Sequence, residues 1–216
     1  MIQLHKLVFN SFQVNTYILQ DETGECVIID PANYSEEENM ALSRFISEHQ
    51  LTPVKHLNTH CHIDHVLGMH YVRDRYKIQS YAHEADNILL ERGPLMGEIF
   101  GFKVAPLPLP DHYLGDQEYI SFGNSEIRAL HVPGHSAGSL SYYAEKEGFV
   151  ISGDALFEGS IGRTDLPGGD YDTLIESISS KLFTLPPQTK VWPGHGAFTT
   201  VEDEIAHNPF FNDYKT

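Results

Sequence analysis

The 216-residue sequence has only two cysteines, Cys26 and Cys61, too few for a disulfide framework and in keeping with a reducing cytosol. It is short of positive charge: 14 Lys and Arg stand against 30 Asp and Glu, a formal net charge of −16 at pH 7. Such a surface repels phosphate backbones, which argues against nucleic acids and anionic membranes as partners. No apolar run approaches the ~20 residues that span a bilayer. The opening MIQLHKLVFNSFQVNTYIL lacks the basic start and clean apolar stretch of a signal peptide. No Gly/Ser linker, repeat or low-complexity tract interrupts the chain, so residues 1–216 read as one domain. The expectation is an acidic, cytoplasmic globular protein, 41% hydrophobic and able to build a full core. What is abundant is histidine, at thirteen residues.

Elements alternate along the chain. Leu7–Phe9, Asn15–Leu19 and Glu25–Ile29 read as strands, the third ending at Asp30-Pro31. Ser35 with Glu38 is a capping-box signature, and Met40, Leu42, Phe45 and Ile46 at helical spacing carry a helix to about His49. A strand over Val54–Leu57 leads into Thr59-His60. A helix from Gly68 to about Tyr76, a strand near Ile78–Ala82 and a helix over Glu84–Arg92 follow, the last stopped by Gly93-Pro94. Val104–Pro110, with three prolines, reads as a loop. Further strands fall at Glu118–Phe122, Ile127–Val132, Leu140–Tyr143 and Phe149–Ser152. A last long amphipathic helix through Leu174, Ile175, Ile178 and Leu182 ends at Pro186-Pro187, and Val191-Trp192 is the final strand. Two β-rich halves, each with helices, predict sheets packed together with helices outside: an α+β fold, with α/β as the alternative.

The segment Thr59-His60-Cys61-His62-Ile63-Asp64-His65 places three imidazoles and a carboxylate within six residues. Extended backbone puts His60 and His62 on one side, and a tightening of the chain after His62 would bring Asp64 and His65 to a second point beside the first. Imidazole with carboxylate suits zinc, iron or manganese, and the lack of a cysteine cluster argues against a structural thiolate site. Val132-Pro133-Gly134-His135-Ser136, Ser152-Gly153-Asp154 and Trp192-Pro193-Gly194-His195-Gly196 each set a ligand type on a strand-end loop. Any one of them is equally a turn whose Pro and Gly serve the backbone. Together with the HxHxDH run they point to a metal centre. Cys61 alternates with its histidine neighbours and is expected to point into packing. His5, His49, His56, His70, His112 and His207 fit no ligand pattern. His131 is expected to pack, His83 is kept as a cleft candidate, and Tyr142 and Tyr143 are read as sheet core.

This combination resembles the metallo-β-lactamase superfamily, whose five motifs map onto Asp30, the HxHxDH run, His135, Asp154 and His195. The resemblance implies an αββα sandwich with a metal site along one edge of its two sheets. It implies one metal held by His60, His62 and His135, a second held by Asp64, His65 and His195, and Asp154 bridging both. The implied cofactors are two divalent ions, zinc first, with iron or manganese as alternatives. Asp30 is either a hydrogen-bonding partner that orients a ligand or a turn residue before Pro31. Asp154 stands where one large class of β-lactam-cleaving zinc enzymes carries a cysteine, which disfavours that class. The run from Leu156 to Asp165, with Gly162-Arg163-Thr164-Asp165, is similar to glyoxalase II enzymes (hydroxyacylglutathione hydrolases) and their short bacterial relatives. Pro167-Gly168-Gly169-Asp170 and Asn208-Pro209-Phe210 resemble that short subgroup in particular.

The sequence departs from glyoxalase II in two respects. The helical C-terminal extension whose basic residues grip glutathione carboxylates is not expected: 21 residues follow His195, and besides His207 their one basic side chain is Lys215. Arg163 and Asp165 replace the substrate-binding Lys and Tyr. Arg163 either clamps a substrate carboxylate with its planar fork or pairs with Asp165 and stiffens the loop. The resemblance implies a metal-dependent hydrolase of a small acyl-thioester such as S-lactoylglutathione. Two metals ~3.5–4 Å apart could lower the pKa of a shared water from ~15.7 to near 7, and the resulting hydroxide would attack the thioester carbonyl. Asp64 would serve as ligand and base at once. The alternatives are a mononuclear iron persulfide dioxygenase, which shares the Gly-Arg-Thr-Asp stretch, another hydrolase of the same fold acting on a lactone or phosphodiester, and a non-catalytic metal-binding module. A homodimer is compatible with the sequence but not indicated by it.

Overall fold

Strands whose neighbouring residues are all apolar need cover on both faces, and the computed structural model, which describes residues 1–214, provides it. The first sheet runs β1 (Gln3–Phe9), β2 (Val14–Gln20), β3 (Glu25–Ile29), β4 (Thr52–Leu57), β5 (Gln79–Ala82) and β6 (His112–Tyr113), antiparallel up to β3 and parallel from β3 onward. The second runs β7 (Tyr119–Phe122), β8 (Ser125–His131), β9 (Leu140–Ala144) and β10 (Phe149–Gly153), all antiparallel. The chain then leaves for a small hairpin, β11 (Leu156–Phe157) and β12 (Ser160–Ile161), and returns to add β13 (Lys190–Pro193) parallel to β10, with β14 (Thr199–Thr200) at the edge.

Residue alternation sorts the core into layers. Tyr17, Leu19, Val27, Ile29 and Leu57 of the first sheet meet Ile127, Ala129, Tyr142 and Ile151 of the second. The intervening Ile18, Cys26 and Ile28 face outward onto α1 (Glu36–Glu48) and, beyond the single turn α2 (Ile63–Val66), onto α3 (Met69–Tyr76) through Leu42, Ile46 and Val72. A covering segment, α4 (Asn87–Glu91) and α5 (Gly93–Phe100), follows β5. On the other side Leu130, Tyr143, Val150 and Val191 face Leu174, Ile175, Ile178 and Leu182 of α6 (Tyr171–Ser177) and the π turn that continues it. The result is the expected αββα sandwich. Tyr142 and Tyr143 are both core, on opposite faces of one strand.

Local signals hold where they have a mechanism. Ser35 accepts from Glu38 N at 3.2 Å while Glu38 Oε2 accepts from Ser35 N at 3.1 Å, both halves of the capping box. Asp170 caps α6 by accepting from Thr173 N. Three expectations need correction. The helix expected over Glu84–Arg92 is a 3-10 turn, Glu84–Asp86, followed by α4, and Gly93-Pro94, where α4 has ended, also opens α5, because a proline in the first turn lacks only an N–H that has no helical partner there. The helix through Leu174 is regular only to Ser177, then widens into the π turn over Ile178–Leu182. Val191-Trp192 is not the last element: β14 follows, then α7 (Val201–His207), capped by Thr200 accepting from Asp203 N. No helix among the described residues is long and apolar enough to cross a membrane. Lys215 lies outside the described residues.

Candidate metal centre

β8 is antiparallel to β9, and β9 to β10, so β8, β10 and β13 point the same way and end on one edge of the sandwich. β3 and β4 end there too, because bonds between the sheets join the same loops: Leu140 N donates to Thr59 O at 2.7 Å, Tyr142 Oη to Asn58 O at 2.7 Å, and Tyr17 Oη to Pro193 O at 2.6 Å. Five strand ends therefore deliver Asp30, His60 to His65, His135, Asp154 and His195 to one place.

They arrive as two clusters. His62 Nδ1 lies 2.9 Å from His135 Nε2, which lies 3.2 Å from His60 Nε2. Beside it, His65 Nε2 and His195 Nε2 are 3.2 Å apart, with Asp64 Oδ2 3.7 and 3.4 Å from them. Ligands ~2.0–2.1 Å from a tetrahedral ion sit about 3.3 Å from each other, so both spacings match donors converging on an ion. Asp154 lies between: its Oδ2 is 3.7 Å from His135 Nε2 and 3.4 Å from His195 Nε2, and its Oδ1 is 3.4 Å from His65 Nε2.

The far side of four of the five rings is engaged as well, while His62 Nε2 is buried without a partner. His60 Nδ1 donates to Thr59 Oγ1 at 3.1 Å, His65 Nδ1 to Asp30 Oδ2 at 3.0 Å, His135 Nδ1 to the Arg163 carbonyl at 2.8 Å and His195 Nδ1 to the Phe12 carbonyl at 2.9 Å. Each bond fixes a tautomer whose Nε2 lone pair faces the centre. Asp30 also accepts from Thr59 N at 2.7 Å and Thr59 Oγ1 at 2.6 Å, so its carboxylate reaches both His65 and, through Thr59, His60. It does this from a left-handed backbone, φ 50°, at the turn after β3, so it is a turn residue too.

Burial pushes His60 well below the ordinary imidazole range and His62 down to about 3, helped by His135 beside it. Burial works against charge on His65 and His195, but the Asp154 and Asp64 carboxylates outweigh it and hold His195 up at about 9. Against the same burial, the His65 charge keeps the carboxyl of Asp154 well below its usual value. Asp154 Oδ1 is buried with no hydrogen-bond donor. An orphaned carboxylate oxygen amid converging imidazoles is what a cation would satisfy. Five imidazoles and two carboxylates, with no thiolate, fit divalent zinc, iron or manganese.

The family model described as the metallo-beta-lactamase superfamily matches residues 10–195. The chain belongs to that superfamily. It is 40% identical over 204 residues to the probable metallo-hydrolase YqgX of Bacillus subtilis (strain 168), covering 94% of each. It is 34% identical over 204 residues to the hydroxyacylglutathione hydrolase GloC of Haemophilus influenzae (strain ATCC 51907 / DSM 11121 / KW20 / Rd), again covering 94% of each. Among solved structures it is similar to the BLEG-1 B3 metallo-beta-lactamase, with a TM-score of 0.89 and 37% identity over 97% of this chain and 100% of that one. It is also similar to TTHA1623 in a di-iron-bound form, with a TM-score of 0.86 and 36% identity over 95% and 99%. The superfamily binds divalent metals, often two.

The superfamily centre opens into a cleft of about 220 Å³ whose wall is apolar on Phe12, Ile63, Leu89, Met96, Phe100 and Leu166. Arg163 borders it, but its side chain is bound to Asp165 by two 2.8 Å bonds from Nε and Nη2. Its carbonyl, rather than its fork, touches the centre. Cys61 packs with Ile63, Val66, Met69 and Leu90. His83 stacks on His131 at 4.1 Å and is not among the cleft residues. The remaining histidines sit apart: His56 is buried, while His70, His112 and His207 bond locally.

One carboxylate escapes the sequence reading. Asp86, buried at the start of α4, accepts from Cys61 N at 2.9 Å, Ser136 Oγ at 2.9 Å and Gly138 N at 2.7 Å. Burial raises its carboxyl pKa even though these three donors pull it down. It ties the loop of His60 and His62 to the loop of His135. No spacing rule reveals it, because its partners lie 25, 50 and 52 residues away.

Proposed function

We propose that the protein hydrolyses a small-molecule thioester at a binuclear centre, with one ion on His60, His62 and His135, another on Asp64, His65 and His195, and Asp154 shared. The observation that carries the reading is the position of Asp154, within 3.4–3.7 Å of a histidine nitrogen in each cluster. Divalent ions held by these residues, zinc first and iron or manganese as alternatives, would polarise a carbonyl and bring the pKa of a bound water toward ~7.

The chain's own residues supply the rest. Asp64, which lines the cleft, holds the proton of the attacking water. Asp30 holds His65, and with Thr59 holds His60, so these ligands do not rotate as charge moves. The apolar wall excludes bulk water and strengthens the electrostatics inside. A thioester suits the site because a thiolate, pKa ~8.5, leaves without a general acid. The likeness to GloC, named a hydroxyacylglutathione hydrolase, supports a thioester and makes S-lactoylglutathione the reference compound.

The test is hydrolysis of S-lactoylglutathione by metal-replete protein, with Asp64→Ala from the same preparation. Turnover that falls at least a hundredfold in the variant supports the reading; none in the wild type overturns the glutathione thioester. A β-lactam belongs in the same assay, since the likeness to BLEG-1 favours it as the second reading. Its leaving nitrogen needs a proton that a thiolate does not. Oxygen uptake with one bound iron would instead indicate the dioxygenase.

A further inference from the structure

The histidines and aspartates of the cleft are absorbed by the metal centre; its wall is not. Among the described residues, two permanent cations reach that wall, Arg92 and Arg163. Arg163 is committed to Asp165 through both arms of its fork. Arg92 is not. It stands at the junction of α4 and α5, its backbone N–H on Ile88 O at 3.2 Å, and its exposed guanidinium has no hydrogen bond or ion pair with any described residue. Leu89 and Met96, three residues before and four after, belong to the same apolar wall. In a chain with 30 Asp and Glu, one arginine fork is left open beside the apolar wall of the cleft.

We propose that Arg92 is the carboxylate-binding residue of the cleft, selecting a thioester that is apolar along the wall and carries one carboxylate. The word thioester rests on the hydrolase reading; the recognition of a carboxylate does not. At physiological salt the field of a −16 protein is screened within ~8 Å, so the positive charges in the cleft, the guanidinium among them, decide whether an anion is held. Its planar fork matches a carboxylate with two parallel bonds. Glutathione offers two carboxylates, an ammonium and two peptide units, and against Leu89, Met96 and Phe100 most of these would be desolvated without partners. A simpler carboxylated thioester with an alkyl acyl group would lose less.

The test separates recognition from chemistry. S-hexyl-3-mercaptopropionate, a thioether that cannot be hydrolysed, and its amide are titrated calorimetrically into metal-loaded wild type, Arg92→Gln and Arg163→Gln. The carboxylate binds wild type about tenfold tighter than the amide, the worth of a charged hydrogen-bonded pair at a partly exposed site. That preference disappears in Arg92→Gln and persists in Arg163→Gln. No preference in wild type, or an undiminished one in Arg92→Gln, overturns the proposal, the second because the carboxylate would then be sitting on the metals. Hydrolysis of the hexanoyl thioesters of the same acid and amide is the second arm. It shows the tenfold preference in kcat/KM through KM, lost in Arg92→Gln. Binding preference without any turnover sinks the hydrolase reading alone; turnover of both with equal binding sinks Arg92 alone. Arg92 is exposed, so the thermal midpoint of Arg92→Gln matches wild type and folding does not confound the result.

Discussion

Asp86 offers a way to loosen one half of the centre without touching a ligand. Asp86→Ala removes the acceptor of three buried donors. Ser136 Oγ keeps a partner in Ser139 Oγ at 2.8 Å, but Cys61 N and Gly138 N keep none. An unsatisfied buried donor costs about 1–3 kcal/mol, so two of them and the vacated volume amount to roughly 3–5 kcal/mol. At about 2–4 °C per kcal/mol for a chain of this size, the midpoint should fall by about 10 °C. Asp86→Asn keeps one oxygen and sheds a charge whose burial was unfavourable, so it should lose roughly half as much. The functional consequence is asymmetric. Cys61 sits between His60 and His62, and Ser136 follows His135, so that cluster loosens. His65 and His195 of the other cluster are held elsewhere, through Asp30 and the Phe12 carbonyl. Metal content after dialysis should fall from two ions toward one, with affinity at the weakened position down by about 10–100-fold. Thermal unfolding and elemental analysis check both halves. A midpoint within a degree of wild type, or equal loss of both metals, refutes the reasoning.

Asp154→Ala should reduce metal content and hydrolysis together, since both clusters lose a partner; a variant with two ions and full activity would remove Asp154 from the centre. Gly194→Ala should lower kcat/KM about a hundredfold, because a Cβ there collides with Asp154 Oδ1 and crowds His65; unchanged kinetics would mean the loop moves freely. Metal uptake by metal-free protein should release a proton from His195, held at about 9, and strengthen as pH rises toward that value; an indicator dye reads the proton, and flat uptake between pH 7 and 9 contradicts the assignment. His56 is buried with neither ring nitrogen hydrogen-bonded, and burial with nearby Arg73 pushes it down to about 3. The unfolded chain protonates it near 6.5, so its contribution to stability is full above 6.5 and lost as pH falls toward 3, by up to ~1.4 kcal/mol per unit. His56→Leu should flatten that part of the urea midpoint against pH, and an unaltered slope would assign the loss to other groups.

The residues that converge on the candidate centre were legible because donors for a metal fall in short, rigid runs, and HxHxDH with two Pro-Gly-His turns writes them into the sequence almost contiguously. The sandwich was legible because apolar residues on both strand faces demand two covering layers. Asp86 and Arg92 were not. Each acts across the fold, one by what it binds and the other by what it does not, and neither property has a local pattern. The Gly93-Pro94 pair marked the end of α4 but hid the start of α5, because proline that ends one helix is equally suited to the first turn of the next. α7 carried its own signal, Thr200 followed three residues later by Asp203, but its apolar stripe is narrow: Val201 and Glu204 are its buried residues. Arg163 illustrates a different limit, since sequence names the side chain while the contact with His135 is made by its carbonyl.

The donors of each cluster come from far along the chain, His60 and His135 being 75 residues apart and His65 and His195 130. A cation at either point is therefore a clasp across the open rim of the sandwich, closing a long loop much as a covalent staple would, yet removable. Its grip falls on the strand ends rather than on the Tyr17–Tyr142 interior. Stripping the ions should leave amide exchange in the middle of β3 and β10 slow while the turns after Ile29, Leu57 and Gly153 begin to breathe. The protein would then fray from its working edge inward, and its most protected backbone would lie farthest from its chemistry.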